Sequence, residues 1–275
     1  ERFGEYTLVR PERQAIWPRC LPPERWQAAD AVFRQTDSGV EGWVQNRAMP
    51  ERWRMHYREL RFWVRLTPFR HTGVFPEQAA HWTWMDRLIR AAGRPVRVLG
   101  LFGYTGLAEL AAAAAGAHVT YVDASRPALT WARENQMASN LQDRPIRWIL
   151  DDVLKFVKRE VRRGAQYEAI IMDPPVFGRG PKGEIWRFHT AFPTLLQETA
   201  KLLAPEPLFV LVNAYAIQES SLMLRNALAA LLPHGTIEAG ELALVESSGG
   251  RLLSTGIFAR WVAGGAGPTS PRGHR

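Results

Sequence analysis

The sequence has one cysteine in 275 residues, Cys20, so it holds no internal disulfide and no cysteine-based metal site. Lysine is nearly as scarce, at positions 155, 158, 182 and 201 only, so arginine supplies most of the positive charge. No apolar run approaches the ~20 residues that a membrane-spanning helix needs. The longest candidate, residues 107–122, is alanine-rich and is broken by Glu109 and His118. The first residues carry no secretory pattern, and a cytoplasmic location is expected. His71, His81 and His189 lack metal-ligand spacing, and no metal is expected.

The bulk composition, 46% hydrophobic and 23% charged, is that of a folded globular chain. The length suits one large α/β domain and a small extra module. A net charge of +8 and a pI of about 10.1 favour a polyanionic partner, nucleic acid first, although a genome-wide arginine bias gives the same composition.

Residues 1–70 and 71–263 read differently. The first part holds Trp17, Trp26, Trp43, Trp53 and Trp63 among short apolar stretches broken by Pro and Gly. Residues 6–10, 42–45 and 52–66 have the look of strands. Trp53, Met55 and Tyr57 are odd-numbered, whereas Leu60, Phe62, Val64 and Leu66 are even-numbered. This switch of phase predicts a hairpin turn or bulge at Arg58–Glu59. Arg52, Arg54, Arg61 and Arg65 then share the opposite face, where they can track a phosphate backbone or simply meet solvent. A small, mainly β module is expected.

From residue 77 strands and helices alternate. Helices are expected at 77–92, 107–115, 127–140, 153–163, 184–203 and 219–232. Strands are expected at 96–100, 118–122, 146–150, 169–172 and 208–212, with a closing pair at 236–245 and 252–262. This is the pattern of a Rossmann-like, doubly wound seven-stranded α/β sheet that ends in an antiparallel hairpin. Residues 264–275 are rich in Gly, Pro and Ser, and read as a disordered tail.

The first strand of that domain runs into Gly100-Leu101-Phe102-Gly103-Tyr104-Thr105-Gly106. Such a turn lets a ligand approach the backbone, and the free N–H groups of the next helix suit an anion. The spacing is G-x-x-G-x-x-G, not the G-x-G-x-x-G of dinucleotide binders. Asp123, followed by Ala124, stands at the end of the second strand, where a carboxylate can accept bonds from two ribose hydroxyls. Nicotinamide dinucleotides and S-adenosylmethionine share that need, and an N-cap for the next helix is the simpler alternative. At the third strand end, Asp152-Val153 can meet an adenine amino group, or Asp152 can cap the helix. At the fourth, Asp173-Pro174-Pro175-Val176-Phe177 combines a carboxylate, two residues without N–H donors and an aromatic ring. Together these can hold a flat, amino-bearing ring, an arrangement that no dehydrogenase needs at this point.

Residues 101–177 thus resemble the class I S-adenosylmethionine-dependent methyltransferases. More narrowly, the chain resembles bacterial 23S ribosomal RNA methyltransferases of the cytosine-C5 and guanine-N7 type, over roughly residues 50–262. These too carry a small β module and a D-P-P-x-F motif, here Asp173–Phe177. His71-Thr72-Gly73-Val74-Phe75-Pro76-Glu77-Gln78 is similar to a segment of that family ending in a cofactor-contacting Gln, which implies that Phe75 and Gln78 cover the cofactor. The resemblance implies that the turn from Gly100 to Gly106 holds the methionine part of S-adenosylmethionine. Asp123 would hold its ribose and Asp152 its adenine. Asp173 and the Pro174 carbonyl would orient the acceptor, and Phe177 would stack on it.

One departure narrows the chemistry. Cytosine-C5 enzymes attack the base with a cysteine placed after the fifth strand. That place here reads Asn213-Ala214-Tyr215-Ala216. A nitrogen target needs no covalent help, so methylation of a base nitrogen in RNA, with ribosomal RNA as partner, is the expected function. A small-molecule or protein substrate and a non-catalytic RNA-binding role are the competing readings. Pro175, Asn213, Tyr215, Arg52, Arg54 and the basic loop with Arg179 and Lys182 are candidate substrate contacts. Glu184 and Trp186 are expected to open the next helix. Oligomeric state is left open.

Overall fold

The computed structural model describes residues 1–35 and 39–264. The tail expected to be disordered lies outside them from residue 265 onward.

The N-terminal strands β1 (Arg2–Phe3), β2 (Tyr6–Val9), β3 (Ala31–Gln35) and β4 (Glu41–Gln45) form one sheet in that order, with the short helix α1 (Pro23–Gln27) between β2 and β3. Sequence reading missed β3, whose Ala31 and Phe33 face inward. A separate hairpin follows, β5 (Trp53–Tyr57) and β6 (Leu60–Val64). Trp53 pairs with Val64, Met55 with Phe62 and Tyr57 with Leu60, so the change of phase is a two-residue turn. Arg58 takes it in the left-handed region, at φ 51°.

After a 3-10 turn at Pro76–Gln78 come α2 (Ala79–Ala91), β7 (Arg97–Leu101), α3 (Leu107–Ala114), β8 (His118–Asp123), α4 (Arg126–Ala138), β9 (Ile146–Leu150), α5 (Val153–Arg162) and β10 (Ala169–Met172). Then follow β11 (Phe177–Arg179), β12 (Ile185–Arg187), α6 (Phe188–Ala200), β13 (Phe209–Ala214), α7 (Ser221–Leu231), β14 (Thr236–Val245) and β15 (Leu252–Val262).

The main sheet has seven strands in the order β14-β15-β13-β10-β7-β8-β9. β13, β10, β7, β8 and β9 run parallel, and β15 runs antiparallel to both of its neighbours, β13 and β14. The doubly wound sheet with its terminal hairpin is therefore as the sequence implies. Strand order reverses between β7 and β10, and such switch points open a crevice at the carboxyl ends of the strands.

The helix expected over 184–203 starts only at Phe188. Glu184 and Trp186 do not open it. Ile185–Arg187 instead pairs with Phe177–Arg179 in a small antiparallel ribbon. Tertiary contacts decide this. The Trp186 indole donates to the Pro175 carbonyl at 2.6 Å, and its ring packs 4.8 Å from Phe102.

Alternate residues of each strand feed opposite faces of the sheet. Val98, Ile171 and Leu211 pack with Met85, Leu110 and the buried alanines of α3. Leu99, Ile170 and Val210 pack with Phe156, Leu195 and Leu224. Phe62 and Val64 of the hairpin belong to the first cluster, so its core is continuous with that of the large sheet. The exposed edge of β6 is closed by α4. Trp63 N–H donates to Asn135 Oδ1 at 2.9 Å, and Arg61 N–H to Ser139 Oγ at 3.0 Å.

Candidate active site

A cavity of about 880 Å³ opens at the switch point, within the ~300–1,000 Å³ range of small-molecule sites. Its first wall is the turn after β7. Phe102, Tyr104 and Gly106 all have positive φ, at 61°, 46° and 77°. For Phe and Tyr this costs on the order of 1–3 kcal/mol each, so their surroundings must hold them. Several bonds do so. Tyr104 N–H donates to Asp123 Oδ2 at 2.9 Å, Tyr121 O–H to the Tyr104 carbonyl at 2.7 Å, and Thr105 Oγ1 to the Gly73 carbonyl at 2.7 Å. Asn135 Nδ2 donates to the Thr105 carbonyl at 2.9 Å.

Gly106 leads into α3 with no side-chain cap, so the first N–H groups of α3 remain available to an anion. Gly103 is obligatory for space, since a Cβ there would strike the Tyr121 ring. Gly100 and Gly106 stand behind the turn and do not line the cavity, unlike Phe102, Gly103, Tyr104 and Thr105.

Asp123 lines the cavity with Ala124 and does not cap the next helix; Ser125 does, accepting from Ala128 N–H at 3.3 Å. Asp123 instead accepts from Ser125 N–H at 2.7 Å and from Tyr104 N–H, which leaves lone pairs toward the cavity. Burial raises its pKa, and these backbone bonds hold it down. Asp152 is a helix cap and also stands in the cavity wall. Its Oδ1 caps α5 through Lys155 N–H at 2.9 Å, and its side chain, like Val153, lines the cavity.

Asp173 ends β10 and faces the cavity. Its Oδ1 accepts from Asn213 Nδ2 at 2.9 Å and its Oδ2 from Gln78 Nε2 at 3.4 Å. Burial raises its pKa to about 6, against the lowering effect of Asn213. Phe75, Gln78, Pro175, Arg179, Asn213 and Tyr215 line the same cavity. At its mouth Tyr215 O–H and His71 Nε2 share a bond of 2.8 Å, with the Phe75 ring 5.6 Å from Tyr215. Burial, then the charges of Arg70 and Arg10, lower the His71 pKa to about 4, so it is neutral at pH 7.

Other expected contacts lie elsewhere. Phe177 is half exposed on β11 under the Arg187 guanidinium, 5.7 Å from its ring centre, and is not in the cavity wall. Gly178, Arg179 and Trp186 of the ribbon line the cavity, whereas the Phe177 ring is turned away from it. Pro174 is buried behind the cavity lining. The carbonyl of Pro175, a candidate substrate contact, accepts from the Trp186 indole. Lys182 lies outside the cavity in a loop held by Glu184, which accepts from Lys182 N–H at 2.9 Å and pairs with Lys155. Arg52 and Arg54 also lie outside. They stack over Trp63 at 4.3 and 4.8 Å, and Arg52 pairs with Glu134.

Sequence reasoning missed Glu109, Arg65, Trp131 and His71 as cavity residues. Arg65 stacks over Trp131 at 4.1 Å. Glu109 left a usable signal: it is a carboxylate in an alanine-rich helix directly after a glycine turn.

Buried polar atoms without partners concentrate in this cavity. Glu109 Oε2, Asn213 Oδ1 and both ring nitrogens of His81 have none. Such atoms are rare in folded proteins, and they fit a wall built for a polar ligand. A carboxylate at Asp123 that could accept from a ribose, an uncapped helix start at α3 that could receive an anion and a glycine-lined approach are compatible with S-adenosylmethionine.

Fold and site thus define an α/β domain that holds a nucleoside-bearing ligand at its switch point. The family model of S-adenosylmethionine-dependent methyltransferases matches residues 26–236, and the chain belongs to that family. A solved structure of the S-adenosylmethionine-dependent methyltransferase from Agrobacterium tumefaciens is similar along almost the whole length. It is 43% identical with a TM-score of 0.90, covering 95% of this chain and 86% of that one. The structure of SMU.776 in complex with S-adenosylhomocysteine shares the fold, with a TM-score of 0.69 at 19% identity over 87% of this chain and 63% of that one. Among curated proteins, the ribosomal RNA large subunit methyltransferase K/L of Shewanella sp. (strain ANA-3) is 33% identical over 56% of this chain and 21% of its own length. That of Hahella chejuensis is 35% identical over 53% and 19%. The chain thus spans about a fifth of the length of these relatives. Among the described residues, no helix is long and apolar enough to cross a membrane.

Proposed function

We propose that this chain transfers the methyl group of S-adenosylmethionine to a ring or exocyclic nitrogen of a base in ribosomal RNA, in the cytoplasm. The observation that carries this reading is the polar set at the end of β10. Asp173, fixed by Asn213 and Gln78, faces a cavity with room for a cofactor and a flat ring. When bound, the cofactor supplies a methyl group already activated by its sulfonium charge. The protein then has to position and desolvate the acceptor. Asp173 accepts from an amino or ring N–H and turns the nitrogen lone pair toward the methyl group. Phe75 and Tyr215 offer aromatic faces, and Arg65 and Arg179 offer cations to phosphates.

The absence of a thiol favours nitrogen over carbon. Cys20 is exposed, contacts Arg251 and does not line the cavity. The large-subunit RNA methyltransferases among the relatives supply the substrate class. Nucleoside mass spectrometry of ribosomal RNA from cells with and without the gene tests the reading. One methylated nucleoside should disappear on deletion, and the purified protein should restore it on the deletion-strain RNA. Unchanged ribosomal nucleosides would overturn it, and a methylated protein or metabolite would replace it.

A further inference from the structure

Glu109 is an acid placed where an acid is costly. It lies in the first turn of α3, is 1% exposed, and is followed by buried alanines. Its Oε2 has no partner. An unpaired buried carboxyl costs on the order of 1–3 kcal/mol or more, so a residue with no use for it would be replaced by Ala or Leu at a gain. The strand beside it is cut away to make room. A Cβ on Gly100 would collide with the Glu109 carboxylate, and one on Gly103 would come within 3.1 Å of its Oε1. The carboxylate therefore occupies the space that a side chain at the end of β7 would take, and it lines the cavity.

Its charged neighbours are all acidic. Asp123 at the end of β8 and Asp173 at the end of β10 both disfavour its ionisation, and Tyr121 and Tyr104 are neutral. Burial first, then these charges, raise the Glu109 pKa to about 8. A ligand that brings a positive charge to this wall relieves all three carboxylates together. S-adenosylmethionine carries its positive charges, sulfonium and α-ammonium, in its methionine part, and only the ammonium can donate hydrogen bonds.

We infer that Glu109 is a cofactor contact, accepting a hydrogen bond from the α-ammonium of S-adenosylmethionine. It does so from helix α3, through the gap left by Gly100. In the empty site it carries a proton. The ammonium stabilises the ionised form, so binding expels that proton to solvent. The inference rests on the cofactor of the family and is independent of the methyl acceptor.

Isothermal titration of S-adenosylhomocysteine into the protein at pH 7, in two buffers of different ionisation heat, reads the proton count directly. A group titrating near 8 is about nine-tenths protonated at pH 7. Binding to Glu109→Gln should therefore release close to one proton fewer than binding to the wild type, and should be about tenfold weaker. The unaltered protein supplies a second arm. It should prefer S-adenosylhomocysteine over the analogue with hydrogen in place of the α-amino group by on the order of 10- to 100-fold, and Glu109→Gln should lose most of that preference. Equal proton release by both proteins would overturn the inference, as would no preference in the wild type. An equal loss of affinity for both ligands in the variant would mark Glu109 as structural only. Ordinary affinity with unchanged proton release in Glu109→Gln would show that the family cofactor binds but that Glu109 is not its partner.

Discussion

Replacing Asn213 by Ala puts the reading of Asp173 at risk with one atom group. Asn213 Nδ2 gives Asp173 its shorter hydrogen bond, 2.9 Å, against 3.4 Å from Gln78. A hydrogen bond to a charged group contributes about 1.5–3 kcal/mol, and one pKa unit is about 1.4 kcal/mol. Losing the bond disfavours the anion, so the pKa of Asp173 should rise from about 6 by on the order of one to two units. At pH 7 the wild-type carboxyl is mostly ionised and accepts hydrogen bonds. The variant carboxyl would be about half or more protonated and would present an O–H to the acceptor. The acid limb of kcat/KM should move upward by the same one to two units, with the rate recovering toward wild type near pH 9. Carbon-detected NMR of carboxyl-labelled aspartates, with Asp173→Asn as the assignment control, measures the shift without any substrate. If the titration midpoint of Asp173 stays put or falls in Asn213→Ala, the account of this site is refuted.

Three further outcomes follow from the same geometry. Gly103→Ala drives a methyl group into the Tyr121 ring and should lower stability by roughly 1–3 kcal/mol while weakening cofactor binding, read by thermal melts with and without S-adenosylhomocysteine. Glu109 has a folded pKa raised from 4.5 to about 8, so its contribution to stability is present below pH 4.5 and is lost as pH rises through 8. The melting temperature of the ligand-free protein should therefore fall between pH 7 and 8.5 more steeply than that of Glu109→Gln, and parallel curves would contradict the burial argument. Phe177→Ala should leave cofactor affinity unchanged, because the ring stands outside the cavity; a loss of affinity in calorimetry would mean that β11 turns inward.

The parallel strands were legible because each is a short apolar run closed by a chemically distinctive residue, such as Asp123 or Asp173. The closing pair, residues 236–245 and 252–262, was legible to the residue. What failed did so for a tertiary reason. Residues 184–187 continue the apolar spacing of α6, and only the Pro175 carbonyl and the Phe102 ring pull Trp186 into a ribbon instead. In that ribbon Phe177 lies under the Arg187 guanidinium, away from the cavity. The motif named the right segment but not which of its side chains would reach the cavity. Likewise the arginines of β5 and β6 alternate as expected, yet Arg52 and Arg54 are spent on Trp63.

Glu109 escaped for a different reason. Strand β7 carries no acid near its end, where Gly100 stands. The need is for a carboxylate at a point in space, which the fold meets from the next helix while the strand gives up its side chain. The three cavity acids then differ by what holds them. Asp123 has the backbone N–H groups of Tyr104 and Ser125. Asp173 has two side-chain amides and titrates near 6. The Oε2 of Glu109 has nothing, and its carboxyl titrates near 8. Hydrogen-bond support and ease of ionisation run together in the last two. The acid with the least support is the one with most to gain from a cation, and the cation that fits beside a glycine turn is the one that the cofactor brings.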